Sequence, residues 1–259
     1  MTDPPLQLER VAKAYGKTAI LSEISFRLEE GEYLGLVGVN GAGKTTLIKS
    51  LLDFCTIDSG TIRIFGRDHR LAAARWRLAF LPERFAPPGY LTGGEYLSYL
   101  AGLYAVSPSH DRIRQVLSIL DLDYRMLSTP VRQFSRGMGQ KLGLAACLLS
   151  GKDLFIFDEP MNGLDPRARA GFRQHLHDLK RHGRSLFYST HLLEDIEDLC
   201  DRVAILHGGE MKFLGTPRDC CRVFGSADLE GAYLACIGGG RIAVHGSTRQ
   251  VSSFPQQPP

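Results

Sequence analysis

The sequence has no apolar run long enough to cross a bilayer. One of the longest, residues 142–149, stops at eight residues, whereas a membrane-spanning helix needs about 20. The first residues, Met1–Pro5, have neither the basic nor the apolar region of a signal peptide. The net charge is only +3 and no block of Lys and Arg is present, which argues against nucleic acid as a partner. These absences predict a cytoplasmic protein, either free or peripheral on the cytoplasmic face of a membrane.

Cysteine patterns typical of metal or disulfide sites are also missing. The six cysteines form no C-x-x-C pair and no Cys/His cluster at zinc spacing. Reduced thiols that act as small apolar side chains are the expected state. The chain has 259 residues, 44% of them hydrophobic and 23% charged, which is typical of a globular protein with a sizeable core.

What the sequence does contain is a glycine-rich loop at residues 38–46, Gly-Val-Asn-Gly-Ala-Gly-Lys-Thr-Thr. The glycines allow several backbone N–H groups to point into one concavity, and a following helix adds the positive end of its dipole. Lys44 is then expected to reach the β- and γ-phosphates, and the Thr45 hydroxyl to ligate Mg²⁺. A glycine-rich turn without a ligand is the alternative. The apolar segment 33–37 before the loop and the helix-compatible run 47–52 after it favour the nucleotide site.

The periodicity of the chain predicts an α/β protein with several parts. Short alternating segments up to about residue 28 predict antiparallel strands, and the segment 60–66 predicts another strand. Helical periodicity dominates from about residue 92 to 150, which predicts an inserted helical subdomain. Strand and helix patterns then alternate from residue 154 to 206, which is typical of a parallel sheet. The Ser-, Gln- and Pro-rich residues 240–259 predict a disordered tail.

Three further segments carry groups that suit phosphate chemistry. Asp158 and Glu159 follow a buried-strand pattern, which suggests a Mg²⁺-associated acid and a general base; a strand that runs into an acidic turn is the alternative. His191 follows the next strand and could bond the γ-phosphate, although a histidine there is commonly only a surface residue. Ser135 and Gly137 lie at the predicted start of a helix. They could form an anion site there, and an ordinary N-cap is the alternative.

Along the chain, the motifs follow in a fixed order: the glycine-rich loop, the helical insert, the Ser-x-Gly helix entry, Asp-Glu at a strand end, Gly-Leu-Asp at residues 163–165 and Ser-Thr-His at residues 189–191. In this order they resemble the motifs of the nucleotide-binding subunit of an ATP-binding cassette (ABC) transporter, from residue 6 to about 239. The resemblance implies a P-loop NTPase core with a parallel sheet, an N-terminal antiparallel β subdomain and the inserted α-helical subdomain. It implies one ATP-binding domain over residues 1–239. ATP and Mg²⁺ are the implied cofactors, with Glu159 and His191 as catalytic residues and Thr45, Asp158 and Glu83 near the metal. The implied nucleotide contacts are Tyr15, Gly38, Asn40, Gly41, Gly43, Lys44, Thr45, Thr46, Glu83, Ser135, Gly137, Asp158 and Asp165.

Two positions depart from the usual pattern of this family. Glu83 stands where a glutamine is usual, and a carboxylate cannot donate a hydrogen bond as an amide does. The signature segment reads Phe-Ser-Arg-Gly-Met at residues 134–138 instead of Leu-Ser-Gly-Gly-Gln. Both departures resemble the ABC-2 type exporter branch.

The resemblance implies an ATPase that energises transport, with export favoured. A second ABC subunit is expected, as a homodimer or a heterodimer, because each ATP is held between one chain's phosphate loop and the other's signature. A separate integral membrane permease is the other expected partner, and nucleic acid is not. The alternative is a soluble ABC ATPase of DNA repair, but only about ninety residues separate Lys44 from Ser135 and they hold no sustained heptads. A two-cassette translation factor and a non-catalytic regulator fit less well, since one cassette is present and Glu159 and His191 are retained.

Overall fold

The computed structural model describes residues 3–238. The predicted tail, 240–259, and the predicted end of the domain at residue 239 lie outside this described part. An antiparallel sheet of four strands comes first in the chain: β1 (Leu6–Tyr15), β2 (Thr18–Leu28), β4 (Ser59–Ile64) and β5 (Arg67–Asp68), in the order β2-β1-β4-β5. In β1, Leu6, Leu8 and Val11 are buried. A bulge between Leu8 and Val11 keeps these apolar side chains on one face of the sheet.

A second sheet of six strands forms the centre of the molecule. Its strands are β3 (Tyr33–Val37), β6 (Leu78–Leu81), β7 (Leu154–Asp158), β8 (Ser185–Ser189), β9 (Arg202–His207) and β10 (Glu210–Gly215), in the order β10-β9-β3-β8-β7-β6. All neighbours pair in parallel except β9 and β10, which are antiparallel. The carboxyl ends of β3, β7 and β8 therefore meet at one edge, where open α/β sheets bind ligands.

Eight α-helices occur in the described part of the chain. They are α1 (Lys44–Leu51), α2 (Gly93–Leu103), α3 (His110–Ile119), α4 (Arg136–Leu149), α5 (Pro166–Arg181), α6 (Leu193–Leu199), α7 (Pro217–Phe224) and α8 (Leu229–Ile237). Side chains of Thr92, Ser109, Ser135, Asp165, Thr216 and Asp228 cap six of them by accepting a backbone N–H. These short polar residues fix where each helix begins.

The central sheet is buried on both faces, and its side chains alternate between two hydrophobic cores. In β3, Tyr33 and Val37 pack against the helices, whereas Leu34 and Leu36 pack toward the antiparallel sheet and α1. In β7, Phe157 packs against Phe172 of α5 on the helical side, with 5.9 Å between ring centroids and the ring planes tilted by 54°. Continuous apolar strands of this kind are the expected result of burial on both faces.

The predicted fold class is confirmed: an antiparallel β subdomain, a parallel central sheet and helices between β6 and β7. The antiparallel edge strand β10 and the helices α7 and α8 were not part of that prediction. Among residues 3–238, no helix combines the length and the apolar character needed to cross a membrane.

Candidate functional site

The glycine-rich loop joins β3 to α1 at the carboxyl edge of the central sheet. Gly38 has no room for a side chain, because a Cβ there would lie 2.4 Å from the carbonyl oxygen of Leu206. Gly43 has φ +108°, which disfavours any other residue, and a Cβ there would approach the carbonyl oxygen of Ile20 to 2.8 Å. No side chain in the described part of the chain caps α1. The first N–H groups of this helix are therefore left for an anion.

Lys44 is buried at the start of α1, with 8% of its surface exposed. Its ammonium donates a hydrogen bond to the carbonyl oxygen of Gly38 over 2.6 Å. A weaker contact of 3.5 Å reaches the carbonyl oxygen of Val39. The loop thus holds this positive charge over its own concavity, where an anion can replace the carbonyl oxygens as its partner.

Asp158 ends β7 and faces Thr45 across the loop. The Thr45 hydroxyl donates to Asp158 Oδ2 over 3.3 Å, and the Ser189 hydroxyl donates to Oδ1. Burial raises the pKa of Asp158, the two hydroxyls and Lys44 lower it, and the nearby Glu83 carboxylate raises it further. The site therefore contains a desolvated carboxylate that a cation would stabilise.

Glu159 follows directly, in the left-handed backbone conformation with φ +50°. Its N–H donates to the carbonyl oxygen of Ser189 over 3.1 Å, which ties this strained residue to the end of β8. Glu159 Oε2 lies 2.7 Å from His191 Nδ1. Burial raises the pKa of Glu159, while His191 and Lys44 lower it. A raised pKa and a histidine partner are properties of a general base.

These groups line one cavity of about 740 Å³. Of the residues predicted from the sequence, it is lined by Gly38, Asn40, Gly41, Gly43, Lys44, Thr45, Thr46, Glu83, Asp158, Glu159 and His191. The lining also includes residues that the sequence did not predict: Ile20, Val37, Val39, Asn162, Leu193 and Tyr233. Asn162 lies three residues after Glu159, in the same turn, and this closeness in sequence could have suggested it. No motif marks Tyr233.

Four predicted residues lie outside the lining of this cavity within the described structure. Tyr15 is 54% exposed at the end of β1, with the Lys13 ammonium 5.2 Å from its ring centroid. The neighbouring Cys55 thiol raises the pKa of its hydroxyl. The ring is thus open to solvent, and its adenine contact stays a prediction.

Ser135, Gly137 and Asp165 form a separate group at the start of α4 and α5. Ser135 Oγ accepts the N–H of Met138 over 3.2 Å as the N-cap of α4. A Cβ at Gly137 would lie 2.5 Å from the carbonyl oxygen of Gly163, so these two segments touch. Asp165 Oδ2 is 2.6 Å from Lys141 Nζ, and this contact lowers the pKa of Asp165 to about 2. Their nucleotide contacts also stay predictions.

Comparison with known proteins gives the family. A family model described as ABC transporter matches residues 21–162. LnrL, a linearmycin resistance ATP-binding protein of Bacillus subtilis, is 35% identical over 224 residues, 85% of this chain and 72% of that protein. Nod factor export ATP-binding protein I of Paraburkholderia xenovorans is 32% identical over 221 residues, 84% of this chain and 72% of that protein. The ABC transporter ATP-binding protein sll0415 of Synechocystis is 36% identical over 204 residues, 77% of this chain but 57% of its own length.

Solved structures show the same fold. An ATP-binding subunit of an ABC transporter superposes with a TM-score of 0.82 at 32% identity, over 89% of this chain and 98% of that one. The dimeric ATP-binding cassette MJ0796, in a post-hydrolysis state with ADP and Pi, superposes with a TM-score of 0.74 at 22% identity, over 82% and 98% of the two chains. The family match, the relatives and the fold agree: this chain belongs to the ABC transporter family, as one of its ATP-binding, ATP-hydrolysing subunits.

Proposed function

We propose that ATP hydrolysis by this chain energises the export of a substrate through a separate integral membrane permease, with the chain peripheral on the cytoplasmic face of the membrane. Two named relatives, a linearmycin resistance protein and a Nod factor exporter, support export as the direction of transport. The observation that carries the proposal is the single cavity that contains Lys44, Asp158, Glu159 and His191. We propose residues 1–239 as one ATP-binding domain with a helical subdomain at about 92–150, followed by the tail 240–259.

The phosphates of ATP would occupy the concavity of the glycine-rich loop. The uncapped N–H groups of α1 would bind phosphate oxygens, and Lys44 would exchange its carbonyl partners for the β- and γ-phosphates. The open ring of Tyr15 is proposed to stack on adenine. This arrangement brings the γ-phosphate to the end of β7, beside Asp158 and Glu159.

The donor set around Asp158 fits Mg²⁺. The Thr45 hydroxyl and the Asp158 carboxylate are hard oxygen ligands 3.3 Å apart, and Glu83 adds a second carboxylate to the same cavity. When bound, the ion would neutralise charge on the phosphate oxygens. The burial that raises the pKa of Asp158 supports this assignment, because a nearby cation favours the ionised form.

Glu159 is proposed as the general base for hydrolysis. It would accept a proton from a water molecule whose oxygen attacks the γ-phosphorus, while the bond from that phosphorus to the β–γ bridging oxygen breaks. His191, at 2.7 Å from Glu159 Oε2, would orient the carboxylate and contact the γ-phosphate.

Replacement of the base tests this step. Glu159→Gln is expected to lower the steady-state ATPase rate about 10²- to 10⁴-fold, because the amide cannot accept the proton. ATP binding should be retained, since the loop and Lys44 are unchanged. The rate of phosphate release and the dissociation constant for ATP measure the two effects, with the exposed Glu9→Gln as the control. An unchanged rate in Glu159→Gln would show that another group is the base.

The same substitution should change how stability depends on pH. Burial raises the folded-state pKa of Glu159 above its usual 4.5, so the ionised carboxylate destabilises the fold at neutral pH and this cost disappears below the unfolded-state pKa. Glu159→Gln is therefore expected to increase the free energy of unfolding at pH 7, with a gain that shrinks toward pH 4. Urea unfolding between pH 4 and 8 measures it.

Asp165→Asn is the matched control, and its expected effect on stability at pH 7 has the opposite sign. Lys141 lowers the pKa of Asp165 from 3.8 to about 2, so its carboxylate stabilises the fold above its unfolded-state pKa. Its replacement should destabilise the protein at pH 7, and the loss should shrink as the pH falls toward 2. If both variants changed the free energy of unfolding at pH 7 in the same direction, the explanation from these two pKa shifts would be contradicted.

A head-to-tail dimer is proposed to complete the site. Ser135 and Gly137 do not line the nucleotide cavity of their own chain within the described structure, yet they open a helix whose N-terminus suits an anion. The dimeric structure of the MJ0796 cassette supports such an assembly. Each ATP would lie between one chain's Lys44 and the partner chain's signature segment.

Mixing two inactive variants tests this assembly. In Ser135→Arg the signature is blocked, and in Glu159→Gln the base is lost, so each homodimer should be inactive. A mixed dimer has one intact site, made from the base of one chain and the signature of the other. At equal amounts the mixture should recover about a quarter of the wild-type ATPase rate, as random pairing of independent sites predicts. A mixture no more active than its components would contradict the shared site.

The permease is proposed to bind a set of exposed apolar side chains from the segments before and after β6. These are Phe54, Leu71, Trp76, Tyr99 and Leu103, here called the aromatic surface. Lys152 connects Trp76 to the end of α2, because its ammonium lies 5.1 Å from the Trp76 ring centroid and 5.5 Å from that of Tyr104, the residue after Leu103. Exposed apolar groups of this kind mark interaction sites. β6, which ends two residues before Glu83, links the aromatic surface to the nucleotide cavity.

Loss of an aromatic side chain should weaken this interaction. A tagged chain incubated with detergent-solubilised membranes is expected to retain an integral membrane protein, identified by mass spectrometry. Trp76→Ala should reduce recovery at least about tenfold, as for a buried aromatic anchor in an interface. The control is Leu234→Ala, an equally exposed apolar residue on α8. Equal recovery with both variants would place the permease elsewhere.

A further inference from the structure

The last helix, α8, packs on α6, the helix that follows His191. On α8, Leu229, Ala232, Tyr233, Cys236 and Ile237 recur at helical spacing and pack on the main core. The N–H of Leu229 donates to Glu197 Oε1 of α6 over 3.4 Å. Since α6 begins at Leu193, two residues after His191, this contact joins α8 to the helix that follows the His191 loop.

Tyr233 on this stripe reaches the nucleotide cavity. It lines the cavity together with His191 and Leu193, although it lies some forty residues further along the chain. Its hydroxyl has no hydrogen-bond partner among residues 3–238. Burial and the neighbouring Cys236 raise its pKa, so the hydroxyl stays protonated and able to donate.

The surroundings restrict what this hydroxyl could bind. The carboxylates at the same side of the cavity already have partners: Asp158 accepts from two hydroxyls, and Glu159 is paired with His191. Tyr233 brings a neutral donor to the cavity that His191 and Glu159 also line, and the terminal phosphate must lie in this cavity if Glu159 is to activate a water beside it. The α- and β-phosphates belong to the glycine-rich loop, at the N-terminus of α1.

We infer that the Tyr233 hydroxyl donates a hydrogen bond to the terminal phosphate of bound ATP, so that the α7–α8 hairpin contacts ATP but not ADP. The inference rests on the proposed occupation of this cavity by ATP. It adds a nucleotide contact from a part of the chain that carries no recognisable motif. ATP binding then adds a link between α8 and the His191 side of the cavity, and release of phosphate removes that link.

The test uses Tyr233→Phe, which removes only the hydroxyl and keeps the apolar ring. Dissociation constants for ATP and ADP with Mg²⁺ are measured by isothermal titration calorimetry on the full chain in a Glu159→Gln background, which prevents turnover. The double variant is expected to bind ATP about tenfold more weakly, the effect of one hydrogen bond to a charged group. ADP affinity should stay unchanged. The control is Tyr90→Phe in the same background, at an exposed tyrosine outside the cavity lining. It should change neither the dissociation constant for ATP nor that for ADP.

Two results would overturn the inference. Unchanged ATP affinity would mean that the hydroxyl makes no contact, and equal weakening of ATP and ADP would mean a structural role or a contact elsewhere on the nucleotide. In the chain with an intact Glu159, Tyr233→Phe should raise KM for ATP with little change in kcat, which a loss of folded protein would not produce. Failure of the Glu159→Gln chain itself to bind ATP would instead contradict the proposed use of the cavity.

Discussion

The placement of one buried ammonium opposite two buried carboxylates is the constraint on which this site depends. Lys44, Asp158 and Glu159 are each less than 9% exposed. Burial raises the pKa of both carboxyl groups, and the charge of Lys44 lowers it. Burial of a charge without a partner reduces the free energy of unfolding by roughly several kcal/mol. The glycines at 38 and 43 therefore do more than leave room for phosphate groups. They also let the loop hold Lys44 close to the edge of the sheet.

The central sheet brings these charges together. β7 lies next to β8, and β8 lies next to β3, all in parallel, so the loop after each strand leaves the sheet at the same edge. Much of this could be predicted from the sequence. Apolar runs marked β3, β7 and β8 as strands buried on both faces, and helical patterns separated them. Parallel strands with such crossovers leave few arrangements, so Lys44, Asp158 and His191 could be expected in one place.

What the sequence did not predict depends on contacts between distant segments. Tyr233 belongs to a short helix whose own residues show only an apolar stripe, and its position in the cavity follows from the packing of α8 on α6. The antiparallel strand β10 was not predicted either, because it forms by pairing with β9 at the edge of the central sheet. For Ser135 the sequence left an anion site and an ordinary N-cap open; its hydroxyl caps α4 within its own chain, and its phosphate contact stays a prediction. Local patterns specify elements, whereas tertiary packing decides which surfaces they share.

The turn after Glu159 connects the base to the start of the signature helix. The N–H of Asn162 donates to the carbonyl oxygen of Glu159 over 3.1 Å, and Gln140 of α4 donates to the carbonyl oxygen of Pro160 over 3.2 Å. A Cβ at Gly137 would lie 2.5 Å from the carbonyl oxygen of Gly163, so the start of α4 lies directly against the turn before α5. Because packed contacts of this kind transmit displacement, a partner chain bound at Ser135 in the proposed dimer would press on the segments that pack against the turn after Glu159. Closure of one site would then be coupled, through this turn, to the position of Glu159 in the other.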